Sequence, residues 1–321
     1  MNHLLKNGIT FINDLSSSKT FNIYKKLNEE NKLKIRIRSA FELLEVEKLI
    51  EEMKKFKNND YLTIGILKGM VDGALGSKTA KMFEPYKGNN KNITGIIVTN
   101  ETILYKYTKI ADENNLQVVI HAIGDKGNNI VLNVFEKILS TSNKPNRDRR
   151  FRIEHAQQLK LFDLKRFSNL NISVSMQPYH LIEDSEYAEQ LIGDRFKNLF
   201  LFNSILNQNI ILSFSADWPI SPISPIEAIY AAVTRKTKKY PNGFNKIESI
   251  SIEDSLKSYT SKASYLSFTE NKFGKIKENY FADLVILDRD ILNLNDDDEI
   301  KDVNILYTIV NGKILYKNED L

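Results

Sequence analysis

Four apolar runs in this sequence end in, or enclose, a polar side chain. Gln117-Val-Val-Ile-His-Ala-Ile-Gly-Asp125 leads into His121, and a Gly-Asp turn follows at once. Arg152-Ile-Glu-His-Ala-Gln157 closes a second short run on His155, and Ile210-Ile-Leu-Ser-Phe-Ser-Ala-Asp-Trp-Pro219 closes a third on Asp217. Leu62-Thr-Ile-Gly-Ile-Leu-Lys-Gly-Met-Val-Asp-Gly73 encloses Lys68 in a fourth. Imidazole, carboxylate and amine are the groups that exchange protons in catalysis. One histidine at a strand end is usually a hydrogen-bonded structural residue. Four such groups in one chain, with helices between them, point to a site.

The elements that must hold these groups alternate. A β-branched run bounded by a turn reads as a strand buried on both faces. Ile9–Asn13 is a strand, and Ser17–Asn31 a helix opened by serines suited to capping. Lys34–Ala40 is a strand and Glu42–Lys57 a helix, followed by the strand of Lys68. A long loop then runs from Asp72 through Gly88 and Gly95, of the kind that covers a site or is disordered. Thr99–Asn115 is a helix capped by Thr99 or Asn100; helices over Lys126–Leu139 and Leu159–Leu170 flank the strand of His155. Asn171–Pro178 is a strand ending in Tyr179-His180, and a partly helical connection, Glu183–Gln208, leads to the strand of Asp217. Helices over Pro225–Lys236 and Ile252–Leu266 follow.

Short apolar strands separated by helices make parallel βαβ units. Seven strands are counted, near residues 9, 34, 62, 117, 151, 172 and 210. A doubly wound sheet gathers its ligands at one switch point. Polar groups at several separate strand ends favour the (β/α)₈ barrel, an α/β fold whose site sits at the carboxyl mouth. One strand is missing from the count. Residues 1–266 form this barrel unit. Beyond Ser267 the texture changes: Phe281–Asp288 is a strand, and 304–316 a hairpin turning on Asn311-Gly312. Residues 267–321 are a small antiparallel β unit.

Composition narrows the function. The chain has 321 residues, 42% apolar and 27% charged, with no cysteine and a net charge of +4. Disulfides, thiolate ligands and a cysteine nucleophile are excluded. Charges of both signs are spread along the chain, which argues against nucleic acid as a partner. No apolar run reaches membrane-spanning length, and the start lacks signal-peptide order. A cytoplasmic protein is the expectation.

The motifs in order are Lys68, Asp72-Gly-Ala-Leu-Gly-Ser-Lys-Thr-Ala80, His121-Ala-Ile-Gly-Asp125 and Arg152-Ile-Glu-His-Ala-Gln157. Gln177-Pro-Tyr-His180, Ser215-Ala-Asp-Trp-Pro219 and Tyr259-Thr-Ser-Lys-Ala263 follow, then Gly274-Lys-Ile276 and Ala282-Asp-Leu-Val-Ile-Leu287. Together they resemble the amidohydrolase superfamily, and within it the amidohydrolase 3 group that contains N-substituted formamide deformylase-like enzymes. The resemblance implies a (β/α)₈ TIM barrel with a small β-sandwich and one or two divalent metals, usually zinc. It implies hydrolysis of carbon–nitrogen bonds other than peptide bonds, with a small-molecule amide or formamide as substrate. His121 and His155 would be metal ligands, Lys68 the lysine that binuclear members carboxylate, and Asp217 a metal contact that takes the proton from the attacking water. Those donor types suit zinc, which acidifies water and polarises a carbonyl.

Several residues keep two readings. Lys68 is a carboxylated ligand or an ion-paired lysine, and His180 contacts substrate or caps a loop. Asp125 orients a ligand from behind or merely forms the turn after Gly124. Asp72 and Gly73 shape the loop over the site, with Asp72 in reach of substrate. Alternation puts Glu154 on the strand face opposite His155, a structural position. Arg235 anchors a substrate carboxylate or, preferably, forms an ion pair.

One departure from the family stands out. Its first strand carries a His-x-His pair, and this chain has only His3, His121, His155 and His180. The expectation is a barrel of strands two to eight with the C-terminal part of the sandwich. It would act as a hydrolase only when completed by an N-terminal segment, or else be a truncated, non-catalytic remnant. Homo-oligomerisation, or association with such a segment, is the expected partnership.

Overall fold

The computed structural model describes residues 1–88 and 92–319. Residues 89–91 of the long loop and the last two residues of the small β unit lie outside the described residues. Seven strands form one parallel sheet in sequence order: β1 (Phe11–Asp14), β2 (Arg36–Glu42), β3 (Leu62–Met70), β4 (Gln117–Ala122), β5 (Arg152–His155), β6 (Ser173–Met176) and β7 (Leu212–Phe214). Helices pack between successive strands, as right-handed parallel crossovers require. The sheet is curled into a partial barrel. Arg38 on β2 donates to Gln117 on β4 at 2.6 Å, and Ala40, Ile66 and Val119 meet Leu15 on the inner face. β1 and β7 are its two edges and do not pair with each other.

The main apolar core lies between sheet and helices, with Phe41, Leu67, Val118, Phe135, Phe151, Phe167 and Val174 almost inaccessible. The inner wall of β5–β7 is polar instead: Arg152, Glu154, Ser173, Ser175 and Ser213 are all buried. Aliphatic layers usually fill a barrel of this kind. The barrel floor is closed by charge and carbonyls. Arg38 and Gln117 both donate to the Leu266 carbonyl, and Arg150 donates to that of Tyr265. These carbonyls end the helix Ser261–Leu266, where its dipole favours cations.

Strand boundaries differ from expectation for local reasons. β2 continues to Glu42, so the next helix starts only at Val46 after a 3₁₀ turn. β6 stops at Met176 because Pro178 opens a helix, Pro178–Asp184, with its ring in the first turn. Thr260, at φ −117° and ψ −90°, splits the expected helix 252–266 in two. Asn100 caps its helix by accepting from Ile103, whereas the Ser17 side chain makes no capping bond.

β8 (Leu284–Leu287), β9 (Ile305–Val310) and β10 (Lys313–Lys317) form a small antiparallel sheet, in the order β10-β9-β8. Asn311 and Gly312 turn its hairpin at φ 52° and 75°, the positive values a type I′ turn requires. Arg36 of β2 ties this unit to the barrel. Its Nε and Nη2 donate to Asp283 at 2.6 and 2.9 Å, and the rings of Phe273, Phe281 and Tyr61 flank the guanidinium. Among the described residues no helix is long and apolar enough to cross a membrane.

Candidate metal site

Three side chains converge at the carboxyl mouth of the sheet. His155 ends β5, His180 lies in the first turn of the helix after β6, and Asp217 lies three residues beyond β7. One donor atom from each falls within 4.8 Å of the other two. Ligands about 2 Å from a shared zinc stand roughly 3 to 3.5 Å apart, so a small side-chain adjustment closes the set. The backbone arranges this convergence. His155 and Ala156 take φ 73° and 44°, and Asp217 takes φ 60°, a left-handed region that non-glycine residues seldom enter. Such strain clusters at functional sites.

The donors fit a metal ion. His155 Nδ1 and His180 Nε2 are buried without a hydrogen-bond partner among the described residues, and buried polar atoms of that kind call for an explanation. His180 Nε2 lies 3.9 Å from Asp217 Oδ2, and the rings of His155 and His180 stack at 6.0 Å, only 9° from parallel. Burial pushes His180 down to about 4 and holds His155 well below the usual imidazole range. Both rings are therefore neutral, the form that binds metal.

His121 and Lys68 lie beside this set. The His121 ring is 4.4 Å from that of His155, but its Nε2 faces the Gly73 carbonyl at 3.1 Å and Asp72 Oδ1 at 3.5 Å. Burial, then the charge of Lys68, brings His121 down to about 4. Lys68 has no hydrogen bond or ion pair among the described residues, and burial lowers its pKa against the pull of Glu154 and Asp217. Burial raises the Asp217 carboxyl, and the Lys68 charge opposes that rise.

Other expectations need correction. Asp72 is fully buried and accepts from the backbone amides of Lys81, Ile123 and Gly124 at 2.7, 3.0 and 2.9 Å. It organises the loop over β3 and β4, with both of its oxygens engaged by backbone amides. A Cβ at Gly127 would lie 2.5 Å from Asp72 Oδ2, which is why a glycine stands there. Asp125 bonds no histidine among the described residues; it accepts from the amides of Phe83 and Lys126, pinning the same loop. Among the described residues Arg235 forms no ion pair, and its side chain is not open to solvent. It is buried and donates to the carbonyls of Phe244 and Phe200, because the left-handed turn at its own Cα folds it inward.

Glu154 is the residue that alternation misplaced. It faces into the barrel, where Arg152 Nε donates to it at 2.5 Å and its charge acts on Lys68 and His121. Glu154 takes the inward position of the strand, and His155 reaches the same space only because its backbone leaves the strand path. The sole signal in the sequence is a charge pair, Arg152 and Glu154, at strand spacing.

The chain thus joins a curled parallel α/β sheet to two imidazoles and a carboxylate gathered at its carboxyl mouth. The amidohydrolase family matches residues 1–316, and the chain belongs to that family. It is 34% identical to Protein LONG AFTER FAR-RED 3 of Arabidopsis thaliana, over 98% of this chain and 56% of that protein. It is 25% identical to N-substituted formamide deformylase of Arthrobacter pascens, over 64% of this chain and 38% of the relative. An uncharacterized metal-dependent hydrolase from Pyrococcus horikoshii superposes with a TM-score of 0.80 at 32% identity, over 91% of this chain and 59% of the other. The chain thus spans about half the length of the curated relatives it matches.

Proposed function

We propose that this chain carries most of the site of a hydrolase that cleaves carbon–nitrogen bonds other than peptide bonds, in substrates such as N-substituted amides or formamides. The observation that carries the reading is the convergence of His155, His180 and Asp217, with two orphaned ring nitrogens, at one mouth of the sheet. The name of the deformylase relative supports the substrate class. A bound divalent cation, zinc by its donor set, would supply Lewis acidity at the carbonyl and acidity at a water. His155, His180 and Asp217 would hold it, with His121 beside them as a further donor and Lys68 at the border of the site.

Asp217 has the exposure a proton carrier needs, with its side chain 39% accessible beside buried imidazoles. It takes the proton from the attacking water and passes it to the departing nitrogen. The loop organised by Asp72 walls the mouth on the side of β3 and β4. An eighth strand, lying between β1 and β7 and supplied from outside the described residues, would complete the barrel. The reading places the protein in the cytoplasm, acting on a small molecule.

A non-catalytic remnant is the competing reading, favoured by the unpaired edges of β1 and β7. Zinc analysis beside an assay on N-formyl and N-acyl amines tests both. The hydrolase reading expects bound zinc, with turnover once the barrel is completed. Asp217→Asn should then keep most of the metal and lose about 10² to 10⁴-fold in kcat. A completed, zinc-loaded protein without turnover would leave the remnant reading standing.

A further inference from the structure

Arg152 and Glu154 are two charges on the inner wall of β5 that the proposed chemistry does not use. Each is 3% exposed, and their contact is a single bond of 2.5 Å between neighbours on one strand face. A buried pair of this kind contributes little to stability over an apolar substitute, so its presence calls for another account. Across β4, Lys68 is level with Val119 and Val119 with Arg152; Glu154 is level with His121 on one side and Ser175 on the other. The charge of Glu154 acts on Lys68, His121 and Asp217. The space under the three converging donors is therefore bordered by two cations, Lys68 and Arg152, where a dication is to bind. Two nearby carboxylates oppose them: Asp217, itself one of the donors, and Glu154.

We propose that Glu154 is a further residue of the metal site, acting through charge: it offsets Lys68 and Arg152 so that the interior accepts a dication beside His155, His180 and Asp217. The proposal rests on reading that cluster as a metal site. Arg152 fixes the rotamer of the carboxylate, and Ser175 borders it from β6.

The test exploits sign. Glu154→Gln and Arg152→Gln break the same ion pair, so a purely structural pair predicts equal damage from each. An electrostatic role predicts opposite outcomes. Zinc titration of the whole chain against a chromophoric chelator, with circular dichroism as the check on folding, reads the difference. Glu154→Gln should bind zinc about tenfold or more weakly, the range found for groups standing behind metal ligands. Arg152→Gln should bind it as well as the unaltered chain or better, and Glu154→Asp should stay close to it. If either single variant fails to fold, the double variant Arg152→Gln/Glu154→Gln restores the net charge and should restore zinc binding. Equal losses in the two single variants, an unchanged Glu154→Gln, or a folded double variant that binds no zinc would overturn the proposal. An unaltered chain that takes up no zinc sinks the metal-site reading and this proposal with it. Normal zinc uptake that ignores position 154 sinks the proposal alone.

Discussion

Zinc affinity separates two arrangements of histidines that the sequence makes equivalent. The family resemblance makes His121 a ligand, whereas the structure gathers His180 with His155 and Asp217 and turns His121 Nε2 toward the Gly73 carbonyl. Structural zinc sites with four protein ligands bind with apparent free energies of about 10 to 16 kcal/mol. One ligand then accounts for roughly 3 kcal/mol, or about a hundredfold in affinity at 1.4 kcal/mol per decade. His180→Ala should therefore weaken zinc binding by about a hundredfold. His121→Ala should cost nearer tenfold, since its ring borders His155 without aiming at the same point. Competition with a chromophoric chelator measures both on the same preparation, so the ratio stands even where absolute affinity is low. A His121→Ala variant that loses more zinc affinity than His180→Ala would refute the geometry.

Metal-free protein should lose stability with acid through its histidines. Burial holds His121 and His180 at about 4 against 6.5 in the unfolded chain, so the unfolded state binds more protons between those values. Their contribution is full above pH 6.5 and is lost as pH falls toward 4, by at most on the order of 3 kcal/mol each; a melting temperature unchanged from pH 7 to 4.5 in chelator would contradict this. Asp283→Ala should leave Arg36 buried without its carboxylate and cost about 3 to 5 kcal/mol. Arg36→Met/Asp283→Leu should recover most of that loss in urea melts, and a single variant as stable as the parent would remove the tie from the account.

How far the sequence could be read follows from what each residue's position depends on. The seven strands and their parallel order were legible because apolar runs and intervening helices are local patterns. The small sheet's hairpin was legible because Asn311-Gly312 supplies the positive φ values itself. His155 and Asp217 were legible as polar groups at strand ends, and the structure brings them together, but their left-handed backbones were not legible. That is why alternation from His155 sent Glu154 to the wrong face. The helix that Pro178 opens after β6 was not legible, because Asn171–Pro178 read as one continuous strand, and with it went the turn that carries His180 to the site. Asp72 was legible as a residue that shapes the loop, but its partners and those of Arg235 were not, because they are amides and carbonyls from distant segments, which leave no trace in side-chain types.

The sheet's edges carry the last prediction. Among the described residues β1 pairs with β2 alone and β7 with β6 alone, so one side of each strand lies outside the sheet's ladder. Residues preceding β1 and following β7 line a cavity of about 440 Å³, among them His3, Asn7, Trp218, Ile220 and Ile223. Trp218 and Ile220 are 57% and 71% exposed there. Free parallel edges beside exposed apolar surface invite strand addition from another chain. Both edges are short, four and three residues, which limits the register any addition can hold. The chain should therefore self-associate into a distribution of sizes and not one closed dimer. Light scattering behind size-exclusion chromatography reads that distribution. Ile220→Lys should shift it toward monomer, because a charge flanking an exposed edge opposes pairing while leaving the buried sheet untouched. A monodisperse monomer at the highest concentration reached would show that the edges are satisfied within the chain, and the argument for an added strand would fail with it.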